Sequence, residues 1–135
     1  MKKYDNFVSH LKILEKSPEQ DLSNEFIISG IIDKFSIQFE LGWKVLKELL
    51  AYEGISGGRT GSPRGIIKEA YQCFDFLDGE IWLHMLNERN NTAHIYDGEA
   101  AKKLTDRIIT DFIPEFVKLQ SGIERQFKDV LENLP

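Results

Sequence analysis

The chain has 135 residues, 41% apolar and 29% charged, with 17 Lys plus Arg against 22 Asp plus Glu for a net charge of −5. That length fits one domain over residues 1–135, with enough apolar content to bury a core without disulfides or metal and too much for a disordered chain. The acidic balance argues against broad attachment to nucleic acid or an anionic membrane, so any nucleic-acid contact must be local or supplied by the cleft of an oligomer.

Cys73 is the only cysteine, which leaves no disulfide framework and no zinc spacing and points to a reducing, cytoplasmic compartment. A small buried hydrophobe is the stronger reading of that residue. No apolar run approaches the roughly 20 residues a membrane-spanning helix needs, and Met1-Lys2-Lys3 leads into Tyr4-Asp5-Asn6 rather than an apolar signal segment. The expectation is a soluble, unprocessed protein.

In chain order, Tyr4, Phe7, Val8, Leu11 and Leu14 repeat at the spacing of one helix face, and Ser17-Pro18 ends that segment. From Leu22 to Tyr52 there is no proline, and Ile28, Ile32, Phe35, Phe39, Leu46 and Leu50 form a stripe with Ile27, Ile31, Leu41, Val45 and Leu49 beside it. So wide an apolar surface calls for burial against the chain's own domain and against a second copy, hence a homodimer. Gly42 inside this helix costs about 1 kcal/mol relative to alanine, which points to close approach of another helix or a ligand, with close helix packing the stronger reading. Trp43 and Lys44 follow it as candidate substrate contacts.

Gly54 to Gly61 is the clearest loop. Within it, Gly54 to Thr60 has the look of a phosphate-binding loop, but the spacing is one residue short, Arg59 replaces the lysine, and a helix rather than a strand precedes it. A connector that offers Arg59 and Arg64 to phosphates fits better. Ser62-Pro63 reads as a helix start, with Ser62 as N-cap and Pro63 in the first helical position. Asp78-Gly79-Glu80 reads as the next cap, followed by Ile81, Trp82, Met85 and Leu86. Trp82, Leu86 and Arg89 lie at i, i+4 and i+7, so Arg89 extends the inward face of this helix. Asp97-Gly98-Glu99 opens a last long helical stretch that Pro114 kinks or restarts. Nothing has the alternation of a strand. The expected architecture is all-α, an antiparallel up-and-down bundle of about five helices.

Arg89-Asn90-Asn91-Thr92-Ala93-His94-Ile95-Tyr96 gathers a fixed cation, a titratable base and a phenol within eight residues. Arginine offers a planar fork that matches phosphate oxygens, and histidine is the side chain that exchanges a proton near neutrality. Asn90-Asn91-Thr92 is a weak turn signal. A break there lets His94 fold back toward Arg89, whereas a continuous helix puts Arg89 and Tyr96 on one face and His94 elsewhere; the pattern leaves both open. His10 and His84 have no partner at ligand spacing and read as solvent-facing, so no metal or other cofactor is expected. The acidic residues, Glu40 among them, read as solvated helix surface.

Phe39-Glu40-Leu41-Gly42-Trp43-Lys44, Ser62-Pro63-Arg64 with Lys68-Glu69-Ala70, and Trp82 with Met85-Leu86 and the Arg89 to Tyr96 motif together resemble the nucleotidyltransferase substrate-binding protein family of the HEPN superfamily. The resemblance covers essentially the whole chain. It implies a dimerising HEPN-like bundle and, as partner, a minimal nucleotidyltransferase. In that superfamily the two are read as a toxin and antitoxin, the HEPN member being a metal-independent endoribonuclease. On this reading Arg89 and His94 are catalytic, Asn90 supports them, and Tyr96 is the residue the transferase adenylylates. An older reading makes the family a non-catalytic subunit that presents a substrate or nucleotide to the transferase. Metal-free RNA cleavage suits the first reading, because His94 can serve as base or acid and Arg89 can neutralise charge at the phosphate. One histidine does not readily serve both ends of the reaction, and a dimer would bring two copies of the motif to one cleft.

Overall fold

The computed structural model describes residues 1–55, 61–92 and 97–133. Its first helix, α1 (Lys2–Leu14), buries Tyr4, Phe7, Leu11 and Leu14, the stripe expected from their spacing. A single 3₁₀ turn at Ser17–Glu19 carries Pro18 and ends the segment, with the Ser17 hydroxyl donating to the Leu14 carbonyl at 2.6 Å. The long helix α2 (Glu25–Tyr52) starts three residues later than the apolar pattern implies. Asn24 is its N-cap, its side chain accepting from the backbone N–H groups of Phe26 and Ile27, which satisfies donors that a helix start leaves unpaired.

Helix α3 (Pro63–Cys73) begins on the Ser62 cap, whose hydroxyl accepts from the Gly65 N–H at 3.2 Å. Asp78 caps α4 (Gly79–Asn91) and Asp97 caps α5 (Gly98–Arg107), as their Asp-Gly-Glu signatures indicate. The expected last helix is three pieces. A π-helical turn (Ile108–Phe112) links α5 to α6 (Ile113–Gln126), and α7 (Lys128–Asn133) follows. Pro114 explains the π turn: it has no N–H and its ring crowds the carbonyl one turn earlier, so the helix widens just before it and restarts.

The helices form an antiparallel up-and-down bundle, and the described residues contain no strand. No helix among them is long and apolar enough to cross a membrane. One hydrophobic core runs through the bundle. At its centre Trp82 of α4 is fully buried, edge-on to Phe116 of α6 at 5.7 Å and tilted against Phe39 of α2 at 6.0 Å. Gly42 makes that position available. A β-carbon there would lie 2.9 Å from Trp82 Cη2 and 3.2 Å from Phe7 Cε2, so the glycine serves close packing of α1, α2 and α4. Most of the wide apolar face of α2 turns into this core, leaving Phe26 and Ile37 exposed at 81% and 50%.

The segment between α3 and α4 is fixed by Phe74 and Phe76, stacked on each other at 5.5 Å and both buried. Glu115 of α6 accepts the Asp78 backbone N–H at 2.8 Å, so α6 holds the residue that caps α4. Burial pushes the Glu115 carboxyl above its ordinary value, against the Asp78 N–H and Lys118, which favour the charged form. The Trp82 indole N–H, buried and without a close hydrogen bond among the described residues, pulls in the same direction as they do.

A raised folded-state value means that the folded protein takes up the proton first. The associated stability is fully present below the ordinary carboxylate value and is lost as pH rises through the folded value. Glu115→Gln keeps the acceptor for Asp78 and removes the charge. The melting temperature of the variant relative to wild type is therefore expected to climb as pH rises above the ordinary carboxylate range. A difference that stays flat with pH would contradict this account.

Candidate functional site

The Asp78 cap sets the register of α4, and that register carries Arg89 to the inward face. Trp82 and Leu86 are buried below it, and the Arg89 side chain keeps 26% exposure at the helix end. The guanidinium lies over the Phe39 ring, 5.3 Å from its centroid. Its Nη2 is ion-paired with Glu40 Oε1, and its Nη1 donates to Asn90 Oδ1 at 3.0 Å. The Nε–H is buried without an acceptor among the described residues.

Glu40 joins Arg89 to the next turn of α2. Its Oε2 accepts the Trp43 indole N–H at 3.0 Å and lies 3.9 Å from Lys44 Nζ. An ion pair at this exposure contributes at most about 1 kcal/mol to stability, whereas an unpaired buried donor costs roughly 1–3 kcal/mol. The cluster therefore contributes orientation more than stability. It places one arginine, one lysine and a half-buried indole side by side, a combination that suits a phosphate next to a planar group.

Four of the expected residues, Trp43, Lys44, Arg89 and Asn90, are thus brought together. Arg64 is exposed in the first turn of α3 and makes no hydrogen bond or ion pair to the cluster. Arg59, His94 and Tyr96 lie outside the described residues. The helix that bears Arg89 stops at Asn91, where the Asn-Asn-Thr sequence signals a turn. Thr92 stays in the right-handed helical region and gives both its backbone N–H and its hydroxyl, the latter at 3.0 Å, to the Arg89 carbonyl; the path from there to His94 lies outside the described residues.

Four expectations need correction. Cys73 is not a small buried hydrophobe: it is exposed at the C-terminal end of α3. Glu40 is not merely solvated surface: it is the acceptor for Arg89 and Trp43. The i+3 and i+4 spacing of Trp43 and Lys44 from Glu40 was a legible sign of this. His10 is half-buried rather than solvent-facing, its Nδ1 hydrogen-bonded at 2.6 Å to Gln38, which is fully buried and donates to the Phe7 carbonyl. His84 is likewise half-buried, its Nδ1 2.7 Å from Arg107 Nη2. Arg107 also pairs with Asp111 at 3.4 Å and lies over the Phe112 ring.

A family model described as nucleotidyltransferase substrate binding protein like matches residues 2–125. The chain is also 29% identical over 99 residues to a protein of Haemophilus influenzae named probable ribonuclease HepT, an alignment that covers 72% of this chain and 67% of that protein. The family match takes in α1 through most of α6, including Phe39 to Lys44 and the whole Arg89 to Tyr96 motif. The chain therefore belongs to the HEPN-like nucleotidyltransferase substrate-binding protein family.

Proposed function

We propose that this protein is a metal-independent endoribonuclease, one half of a toxin-antitoxin-like pair whose other half is a minimal nucleotidyltransferase. The observation that carries the reading is Arg89, held on the inward face of α4 over Phe39 with its fork only partly engaged, in a chain related to a probable ribonuclease. In the proposed reaction the RNA 2′-hydroxyl attacks the adjacent phosphorus and the 5′-oxygen leaves. Arg89 neutralises the charge that develops on the phosphorane oxygens. His94 takes the 2′ proton or returns one to the 5′-oxygen. Asn90 steadies Arg89 through its side-chain oxygen.

A homodimer would supply the second histidine, and the outward-facing Phe26 and Ile37 of α2 are apolar surface consistent with a second copy. The working unit on this proposal is a single domain over residues 1–135, acting in the cytoplasm. Tyr96 is the point of control: adenylylation would add a bulky anion to the motif that also carries Arg89 and His94, and compete with RNA. The second reading, a non-catalytic subunit that presents substrate or nucleotide to the transferase, is favoured by the description of the matching family model. It keeps the same cluster as a phosphate clamp.

One purification in two forms separates the readings. Protein made alone is expected to cut a panel of RNAs. Protein coexpressed with its nucleotidyltransferase is expected to carry one or more AMP units at Tyr96 and to leave the same RNAs intact. Intact RNA with both forms, together with a stable unmodified complex, would favour the substrate-binding reading and overturn the proposal.

A further inference from the structure

Glu40 is the one described residue that touches Arg89, Trp43 and Lys44 together. We infer that it is the positioning residue of this site, a carboxylate that fixes the Arg89 guanidinium and the Trp43 indole as one unit without itself contacting RNA. Three contacts hold the guanidinium. The Phe39 ring lies beneath it, and a ring face leaves rotation about its normal free. Asn90 is exposed and belongs to the last turn of the helix, so its hold is weak. Glu40 is anchored one helix away, and its Oε1 sets the direction in which the fork opens.

The geometry also leaves the fork usable. Arginine has five N–H donors. Glu40 engages Nη2 and not Nε, and Asn90 engages Nη1, so each Nη keeps a second proton for a two-point phosphate contact. Charge is preserved as well: Arg89 and Lys44 against Glu40 leave one net positive charge in the cluster. A carboxylate is needed because two donors, Arg89 Nη2 and Trp43 Nε1, arrive on two different oxygens. Glutamine puts an N–H₂ donor where one of the two carboxylate oxygens stands, and so cannot accept both donors in the positions they occupy.

For its kinetic readout the inference rests on the ribonuclease reading; for its spectroscopic readout it does not. The test compares wild type with Glu40→Ala, Glu40→Gln, Arg89→Ala and the Glu40→Ala/Arg89→Ala double variant on one single-stranded RNA, after thermal melting shows that each is folded. Glu40→Ala is expected to lose about 10- to 100-fold in kcat with KM nearly unchanged, the signature of a displaced group. The double variant is expected to be no slower than Arg89→Ala alone, because Glu40 acts through Arg89. Losses that multiply in the double variant, or a wild-type kcat for Glu40→Ala, would overturn the inference.

Trp43 emission, isolated by difference from a Trp43→Phe variant, is the second readout. It is expected to shift in Glu40→Gln and to stay fixed in a Glu80→Gln control on the exposed first turn of α4. An unmoved Trp43 signal in Glu40→Gln would overturn the inference even if no form of the protein cuts RNA. A shifted signal with uncut RNA would overturn the ribonuclease reading alone.

Discussion

Arg89→Ala is expected to slow RNA cleavage by about 10²–10³-fold, the usual cost of removing a preorganised donor at a developing oxyanion. The loss should fall mainly in kcat, because in the proposed reaction Arg89 meets the phosphorane more strongly than the ground-state phosphate. Arg89→Lys is expected to recover little, since a point charge on a flexible stem reproduces neither the planar fork nor the stacking on Phe39. His94→Ala is expected to cost about 10²–10⁴-fold. None of these changes should unfold the protein. The Arg89–Glu40 pair lies at a partly exposed helix end, where its contribution to stability is at most about 1 kcal/mol. A melting temperature that collapses in Arg89→Ala would show that the arginine is a structural strut, and the assignment of its role would fail.

The second large effect is a contrast between two glycines of the same helix. Gly42 faces two buried rings, and a methyl group at that position would lie only 2.9 Å from Trp82 and 3.2 Å from Phe7. Neither ring has room to retreat, because Trp82 and Phe7 are both fully buried. Gly42→Leu is therefore expected to destabilise by about 3 kcal/mol or more, at or beyond the top of the usual overpacking range. Gly42→Ala should cost less, since overpacking of about 1–3 kcal/mol is offset by up to about 1 kcal/mol of helix propensity. Gly30 has no atom within 4 Å of where its β-carbon would sit, so Gly30→Ala keeps only the propensity gain and should stabilise by up to about 1 kcal/mol. Urea unfolding of the three variants checks both signs. Equal effects at the two positions would mean that α2 and α4 do not approach at Gly42. Because Trp82 and Arg89 share α4, Gly42→Leu should also depress cleavage at temperatures where the variant remains folded.

How much of this was legible beforehand depends on the range of the interactions concerned. The caps at Ser62, Asp78 and Asp97 were readable because a cap is a local event, one side chain bonding N–H groups two or three residues on. The inward placement of Arg89 was readable for a similar reason, since helical spacing from Trp82 fixes its face. The partners of His10 and His84 were not readable. Gln38 and Arg107 lie 28 and 23 residues away, on other elements, and no local pattern announces them. The π turn before Pro114 was only half readable: proline signals an interruption, but the local sequence does not say whether the helix kinks or widens there. Glu40 shows the same limit at the site itself. Its spacing to Trp43 and Lys44 was local, but its pairing with Arg89 crosses from α2 to α4, and that pairing is what distinguishes it from the other surface acids.

The end chemistry of the RNA products tests the central claim most directly. Protein purified without its nucleotidyltransferase should be incubated with single-stranded RNA in excess chelator, beside an Arg89→Ala/His94→Ala preparation, and the new termini mapped. The account predicts cleavage that persists in chelator, with 2′,3′-cyclic phosphate on one fragment and a 5′-hydroxyl on the other, absent from the double variant. RNA left intact by the wild-type protein, or fragments that bear 5′-phosphate and 3′-hydroxyl ends, would contradict it.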